Sequence, residues 1–310
     1  MPLSSLSKSI ICMVLALNLA ACSYFLPNTT PTLGGLLASK GDTRPFEVPL
    51  PVNTEPKRMA LSSEFTIGVK ADGTVWGWGS GTEGELGMGK KENRPTPQAI
   101  PNMTNFIEVA AGDHHVLALR KDGTVWSWGN NKTGALGYKE DGVPWGIAPE
   151  IRYDPYQLSP RQIPDLKDIV SIAAGGTFSV ALSKQGDIYA FGSGGYLLGE
   201  GVTQLVPKKI HHIDNAVRIF VGWSNTGVLT KKGELWLWGD LGYWLGTYKI
   251  ERDRAARWQG NSLPWLAKTP LPVADMVSAA VDFLLLQDGS VWAVGHSSYF
   301  MLGQGNGSQP

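Results

Sequence analysis

Asp122-Gly-Thr-Val-Trp-Ser-Trp-Gly129 decides the reading of this chain, because Asp72-Gly-Thr-Val-Trp-Gly-Trp-Gly79 carries the same pattern 50 residues earlier. Weaker copies follow at Gln185-Gly-Asp-Ile-Tyr-Ala-Phe-Gly192, Lys232-Gly-Glu-Leu-Trp-Leu-Trp-Gly239 and Asp288-Gly-Ser-Val-Trp-Ala-Val-Gly295. The turn glycines Gly73, Gly123, Gly186, Gly233 and Gly289 are spaced by 50, 63, 47 and 56 residues. Each copy is followed by a Leu-Gly pair, ending at Gly87, Gly137, Gly199, Gly246 and Gly303. Five units with matching landmarks define a repeat architecture, in which one unit buries its apolar faces only against its neighbours.

An x-Gly pair between apolar runs predicts a tight hairpin, so Val116 to Arg120 should pair antiparallel with Thr124 to Trp128. The period of two puts Trp126 and Trp128 on one face and Val125 and Ser127 on the other. Both faces are apolar or small, which fits a strand covered on both sides, as in a propeller blade between blades. Small residues at the fourth position after the turn glycine (Gly77, Ser127, Ala190, Ala293) are expected to let the next blade approach the aromatic pair. His115 takes a position held by Phe65 and Phe178 elsewhere, which predicts packing or a hydrogen bond inside its own blade.

Between repeats a Pro-x-x-[Ile/Val] pattern predicts outer strands at Pro97 to Ile100, Pro160 to Ile163, Pro207 to Ile210 and Pro270 to Val273. The last repeat has no such strand after it, whereas Pro45-Phe-Glu-Val48 precedes the first repeat and matches the pattern. The N-terminal strand is therefore expected to complete the last blade and close the ring without an open edge. The fold class is all-β, a five-bladed closed propeller, with a degenerate sixth blade or an open arc as the alternatives.

Ala110-Ala-Gly-Asp-His-His-Val-Leu-Ala-Leu119 and Ala173-Ala-Gly-Gly-Thr-Phe-Ser-Val-Ala-Leu182, each leading into its hairpin, resemble the repeat of the regulator-of-chromosome-condensation family. The resemblance covers roughly Pro45 to Gly305 and implies β-propeller blades. Repeats one, four and five depart from the pattern at Leu61-Ser62, Val221-Gly222 and Ala279-Ala280-Val281. Nucleotide exchange on a small GTPase, which the family name suggests, transfers poorly to a chain with an export signal, since fold does not carry function.

Met1 to Ala21 joins Lys8 to an apolar run too short for an ordinary membrane span, which reads as a secretory signal. Leu19-Ala20-Ala21-Cys22 resembles a bacterial lipobox, so residues 1–21 are expected to be removed and Cys22 to be acylated; a plain signal cut nearby is the alternative. The only other cysteine, Cys12, lies in the discarded segment, and Ser23 after Cys22 resembles the outer-membrane rather than the inner-membrane case. Residues 22–44, rich in Pro, Thr and Gly, read as a tether, and 45–310 as the propeller.

Of the 310 residues 17% are charged, against a usual ~25%, and 38 Gly and 12 Trp suit a turn-rich, aromatic-packed β chain. Lys and Arg (27) balance Asp and Glu (27), which argues against a nucleic-acid partner. Gly84 to Lys91 imitates a phosphate-binding loop, but Lys91 stands where Ser or Thr would hold Mg²⁺, and the glycines belong to the repeat. The histidines form two adjacent pairs, His114-His115 and His211-His212, plus His296; neighbours on a strand point to opposite faces, so no metal or other cofactor is expected.

Two insertions, Tyr138 to Ser159 and Thr247 to Thr269, leave the repeat at the same point and should emerge on one face of the disc. They supply the candidate partner-binding residues Trp145, Tyr153, Tyr156, Arg254, Arg257, Trp258 and Trp265. Aromatic and Arg side chains on loops have the composition of a binding hot spot; the competing reading is that they bury their own rings. The expected function is a monomeric, membrane-anchored bacterial lipoprotein of the outer membrane whose propeller binds a protein or envelope polymer without catalysis. Inhibition of a secreted or periplasmic hydrolase is one alternative, and a lyase or hydrolase with paired carboxylates or His in the envelope is another.

Overall fold

The Asp-Gly turns form where the repeat places them. In the computed structural model, which describes residues 58–139, 155–193, 203–210, 213–222, 225–239, 265–267, 273–277 and 281–295, the five turn glycines have φ between +75° and +88°. Where Asp precedes the glycine, its Oδ1 accepts from the backbone N–H and hydroxyl two residues on: Asp72 from Thr74, Asp122 from Thr124 and Asp288 from Ser290. Those hydroxyl and backbone donors hold the three carboxyls below the usual range. Repeats three and four have Gln185 and Lys232 there, and a hydroxyl three residues before the glycine takes over. Ser183 Oγ accepts from Asp187 N at 3.0 Å, and Thr230 Oγ1 accepts from Glu234 N at 3.3 Å.

All regular structure among the described residues is strand, with no helix. Blade one comprises β1 (Met59–Leu61), β2 (Phe65–Val69), β3 (Val75–Gly79) and β4 (Arg94–Ala99), and blade two β5 (Phe106–Ala111), β6 (His115–Arg120), β7 (Val125–Asn130) and β8 (Tyr156–Gln162). Blade three follows with β9 (Ile169–Ala174), β10 (Phe178–Ser183), β11 (Ile188–Gly192) and β12 (Gln204–Ile210). Blade four has β13 (Ala216–Val221), β14 (Asn225–Thr230), β15 (Leu235–Gly239) and β16 (Trp265–Ala267); the fifth sheet has β17 (Val273–Val277), β18 (Val281–Leu286) and β19 (Val291–Gly295). Every sheet is an antiparallel meander in chain order, the form of a propeller blade. The expected β6–β7 hairpin is present, with Leu119 opposite Val125 and Val116 opposite Trp128.

Three of the four outer strands lie where the Pro pattern puts them. The fourth is a correction: β16 (Trp265–Ala267) pairs with Leu235, Trp236 and Leu237, whereas Val273 opens β17 and pairs with Leu286 in the next sheet. The crossing between blades therefore falls between Ala267 and Val273. The closing strand expected at Pro45 to Val48 lies outside the described residues.

Blades are joined by face-to-face packing. One core holds Ile67, Leu86, Ile100, Phe106, Val116 and Trp128 between blades one and two; a second holds Leu117, Val125, Leu136, Ile172 and Phe191 between two and three; a third holds Val180, Ile188, Ile219 and Trp238 between three and four. Trp126 and Trp128 thus face blade one while Val125 faces blade three, as the period of two requires. Trp128 is fully buried, and its indole Nε1 donates to Glu85 O in the preceding repeat at 2.6 Å. A Cβ on Gly87 would meet that indole at 3.1 Å, and one on Gly137 would meet the Phe191 ring at 2.8 Å; both glycines have positive φ. The Leu-Gly turns of the first two repeats are therefore the seats of the next blade's second aromatic.

Two of the small residues in the middle of the third strands, Gly77 and Ser127, serve a different neighbour from the expected one, whereas Ala190 lies in the core against blade four. A Cβ on Gly77 would meet Ile67 and Leu86, and the Ser127 hydroxyl donates to Leu136 O at 2.7 Å. They make room for the Leu-Gly turn of their own repeat, while the approach between blades is managed by the turn glycine.

Gly137→Ala is expected to lose about 2–4 kcal/mol, from strained φ together with overpacking on Phe191. Gly289→Ala has similar φ but nothing within 4 Å among the described residues, so only the backbone part of about 1–2 kcal/mol applies. Urea unfolding of both variants checks this; equal losses would remove the role given to the aromatic seat.

Candidate functional site

In a four-stranded meander the loops joining first to second and third to fourth strands emerge on one side of the disc. That side carries the turn before β6 with His114, the Leu-Gly turns and the insertion points. Both ends of the first insertion are held by Asn131, which is buried: its Nδ2 donates to Tyr138 O at 3.3 Å and its backbone N–H to Pro155 O at 2.8 Å, while its Oδ1 accepts from Leu136 N at 3.1 Å. One residue, through its side chain and its backbone N–H, thus pins the base of the excursion, as in a compact loop whose ends lie close together.

Of the predicted binding residues, Tyr156 and Trp265 fall in described segments. Tyr156 opens β8 and Trp265 opens β16, so both stand at the start of an outer strand instead of within an insertion. Tyr156 is half-buried, with Lys91 Nζ 3.7 Å and Lys132 Nζ 5.1 Å from its ring centroid and Lys132 donating to its hydroxyl at 2.9 Å. That hydrogen bond raises the Lys132 ammonium above its ordinary value. Cys22, Trp145, Tyr153, Arg254, Arg257 and Trp258 lie outside the described residues.

Beside Tyr156 the structure brings together a group that sequence reasoning missed. His114 Nδ1 lies 3.5 Å from Glu83 Oε2 and 3.5 Å from Glu85 Oε1. Glu85 is fully buried and its Oε2 accepts from Glu83 N at 2.7 Å; Asn130 Nδ2 donates to Glu83 Oε2 at 2.7 Å. The carboxylates come from repeat one and the imidazole from repeat two, 29 positions from Glu85, so neither a motif nor an adjacent pair signals the group. One signal was available: the residue before the Leu-Gly pair is Ala135, Leu197, Trp244 and Met301 in the other repeats and a carboxylate only at Glu85.

His115 packs as expected, but its hydrogen bond crosses between blades. Its ring lies over Gly112, and Nε2 meets Ser179 Oγ at 3.0 Å; since that hydroxyl donates to Ala135 O at 2.8 Å, the imidazole nitrogen is the donor. At the disc axis a cavity of about 140 Å³ is lined by Ala60, Ala110, Ala111, Ala173, Ala174, Val221 and three neighbours, none titratable. The lining side chains are apolar, so the polar part of this wall is backbone.

Family models for the regulator of chromosome condensation (RCC1) repeat match residues 72–119 and 122–182, and in a second form 57–85, 106–135 and 169–196. The repeats within residues 57–196 belong to the RCC1 repeat family. The expected resemblance is thus confirmed over those residues, and the propeller fold with it. Similar solved structures include yeast RCC1 (Prp20) bound to Kap60, at 22% identity and TM-score 0.63 over 80% of this chain and 57% of that one. Saccharomyces cerevisiae Prp20p alone gives 19% identity and TM-score 0.60 over 80% and 73%, and human WBSCR16 gives 23% and 0.57 over 71% and 55%. This RCC1-repeat chain therefore spans little more than half the length of two of them, and the likeness is one of fold. No curated protein matches it in sequence.

Burial drives the His115 pKa down to about 4, so between about pH 6.5 and pH 4 the unfolded chain binds a proton that the folded chain does not. Stability should fall through that window as pH is lowered, by about 3 kcal/mol from this group. His115→Phe, which restores the residue of repeats one and three, is expected to flatten that part of a urea-unfolding pH series; an unchanged slope would assign the acid sensitivity elsewhere.

Proposed function

We propose that this RCC1-repeat protein is a bacterial lipoprotein, acylated at Cys22 and tethered through residues 22–44, whose propeller binds a protein or envelope polymer without catalysis. Pro45 to Val48 completes the last blade in this reading, and the outer membrane is the anchoring site. The observation that carries the binding role is Tyr156, stacked with Lys91 and hydrogen-bonded by Lys132, on the side of the disc where the segment bearing Trp145 and Tyr153 leaves and returns at Asn131. An aromatic held between ammonium groups beside an aromatic-rich excursion has the makings of a hot spot for an acidic or aromatic partner. Solved propellers of this fold are described with protein partners, yeast Prp20 with Kap60 and Prp20p with Gsp1p and histones.

Metabolic labelling with a fatty acid is expected to mark the full chain and to fail with Cys22→Ser. That secreted variant, used as bait in envelope extracts, should capture a partner identifiable by mass spectrometry. The same bait with Trp145, Tyr156 and Trp258 changed to Ala should lose it while keeping the wild-type unfolding midpoint. Equal capture by both would move binding off the insertion side.

A further inference from the structure

The repeats supply their own control for the Glu83, Glu85 and His114 group. Asn130 N donates to His114 O at 2.8 Å, as Ser80 N does to Glu64 O and Ser193 N to Thr177 O, so His114, Glu64 and Thr177 are structurally equivalent. Gly87 N donates to Gly84 O and Gly137 N to Gly134 O in the same way, so Glu83 and Glu85 correspond to Thr133 and Ala135. At the junction of blades two and three the three positions are therefore Thr133, Ala135 and Thr177, none with a charge. Only the first junction among those described brings a nitrogen base and two carboxylates together.

Propeller packing does not ask for this. A carboxylate buried without a cation is unfavourable, and an apolar residue serves the same repeat position elsewhere. Glu85 is wholly buried, and among the described residues its Oε1 faces only His114 Nδ1, at a separation long for a hydrogen bond. Two donor atoms bound to one tetrahedral metal at about 2.1 Å lie about 3.4 Å apart. Both imidazole–carboxylate separations here are 3.5 Å, and all three donor atoms lie within 4.8 Å of one another.

We propose that Glu83, Glu85 and His114 bind a divalent first-row transition metal, of which Zn²⁺ suits the mixed nitrogen and oxygen donors. The ion ties the first Leu-Gly turn to blade two and leaves a fourth position toward solvent, where His114 is 46% exposed. Asn130 orients Glu83 from outside, as second-sphere partners of metal carboxylates do, and the indole of Trp128 fixes the backbone of Glu85.

The test uses the full chain without a histidine tag, stripped with EDTA and titrated with ZnCl₂ by calorimetry, with Co²⁺ as a spectroscopic substitute. One ion per chain, visible absorption of tetrahedral Co²⁺, and a thermal midpoint raised by Zn²⁺ are expected. His114→Gln and Glu85→Gln should each weaken binding at least tenfold and abolish the shift in midpoint. No saturable binding, or binding unchanged in His114→Gln, overturns the proposal. The exposed position of His114 keeps that variant decisive even where Glu85→Gln fails to fold.

Discussion

The second aromatic of a hairpin, seated on the Leu-Gly turn of the preceding repeat as Trp128 and Phe191 are, is the contact on which the rest of the described structure depends. Trp128 over Gly87 and Phe191 over Gly137 set how closely and at what angle consecutive blades meet. The indole bond to Glu85 O adds direction to what would otherwise be unoriented apolar packing. Because the glycine offers no Cβ, the ring reaches the turn backbone, and the Leu before it fills the space left by Gly77 or Ser127 in its own blade. Two neighbouring residues of one turn thus serve two different blades.

Antiparallel alternation then separates structural from variable parts of the repeat. The Asp-Gly hairpins on one side are short and tightly bonded, and the inner strand of the next blade hooks onto them: Phe106 N donates to Gly73 O, Ile169 N to Gly123 O and Val273 N to Gly233 O. The opposite side carries the loops that differ in length, and there the excursion between Lys139 and Pro155 can be long because Asn131 closes its base inside the protein. A rigid disc with one adaptable side is a common arrangement for recognition, since scaffold stability does not depend on the loop sequence.

The junction of blades one and two departs from the others in polarity. Its outer rim holds Tyr156 with Lys91 and Lys132, and its inner part holds the two glutamates and His114, linked through Asn130 and the charge of Glu83 near Lys132. In a repeat protein such a local departure is informative, because packing needs are met at the junction of blades two and three by Ala and Thr at the same positions.

The blade itself was legible in the sequence. Turn glycines, alternating aromatics and the Leu-Gly landmark are local signals, and the period of two assigns faces without knowledge of the neighbours; the five sheets and the β6–β7 register follow from them. The fourth outer strand was misplaced because Pro270 satisfied the pattern while a three-residue strand beginning at Trp265 did the pairing with Leu235 to Leu237. Only the tertiary structure decided that His115 bonds Ser179 across blades, that Tyr156 begins a strand, and that His114 reaches Glu83 and Glu85. Those contacts join different repeats, and their distances are set by the rotation between blades, which no spacing along the chain encodes and which the seated aromatic determines.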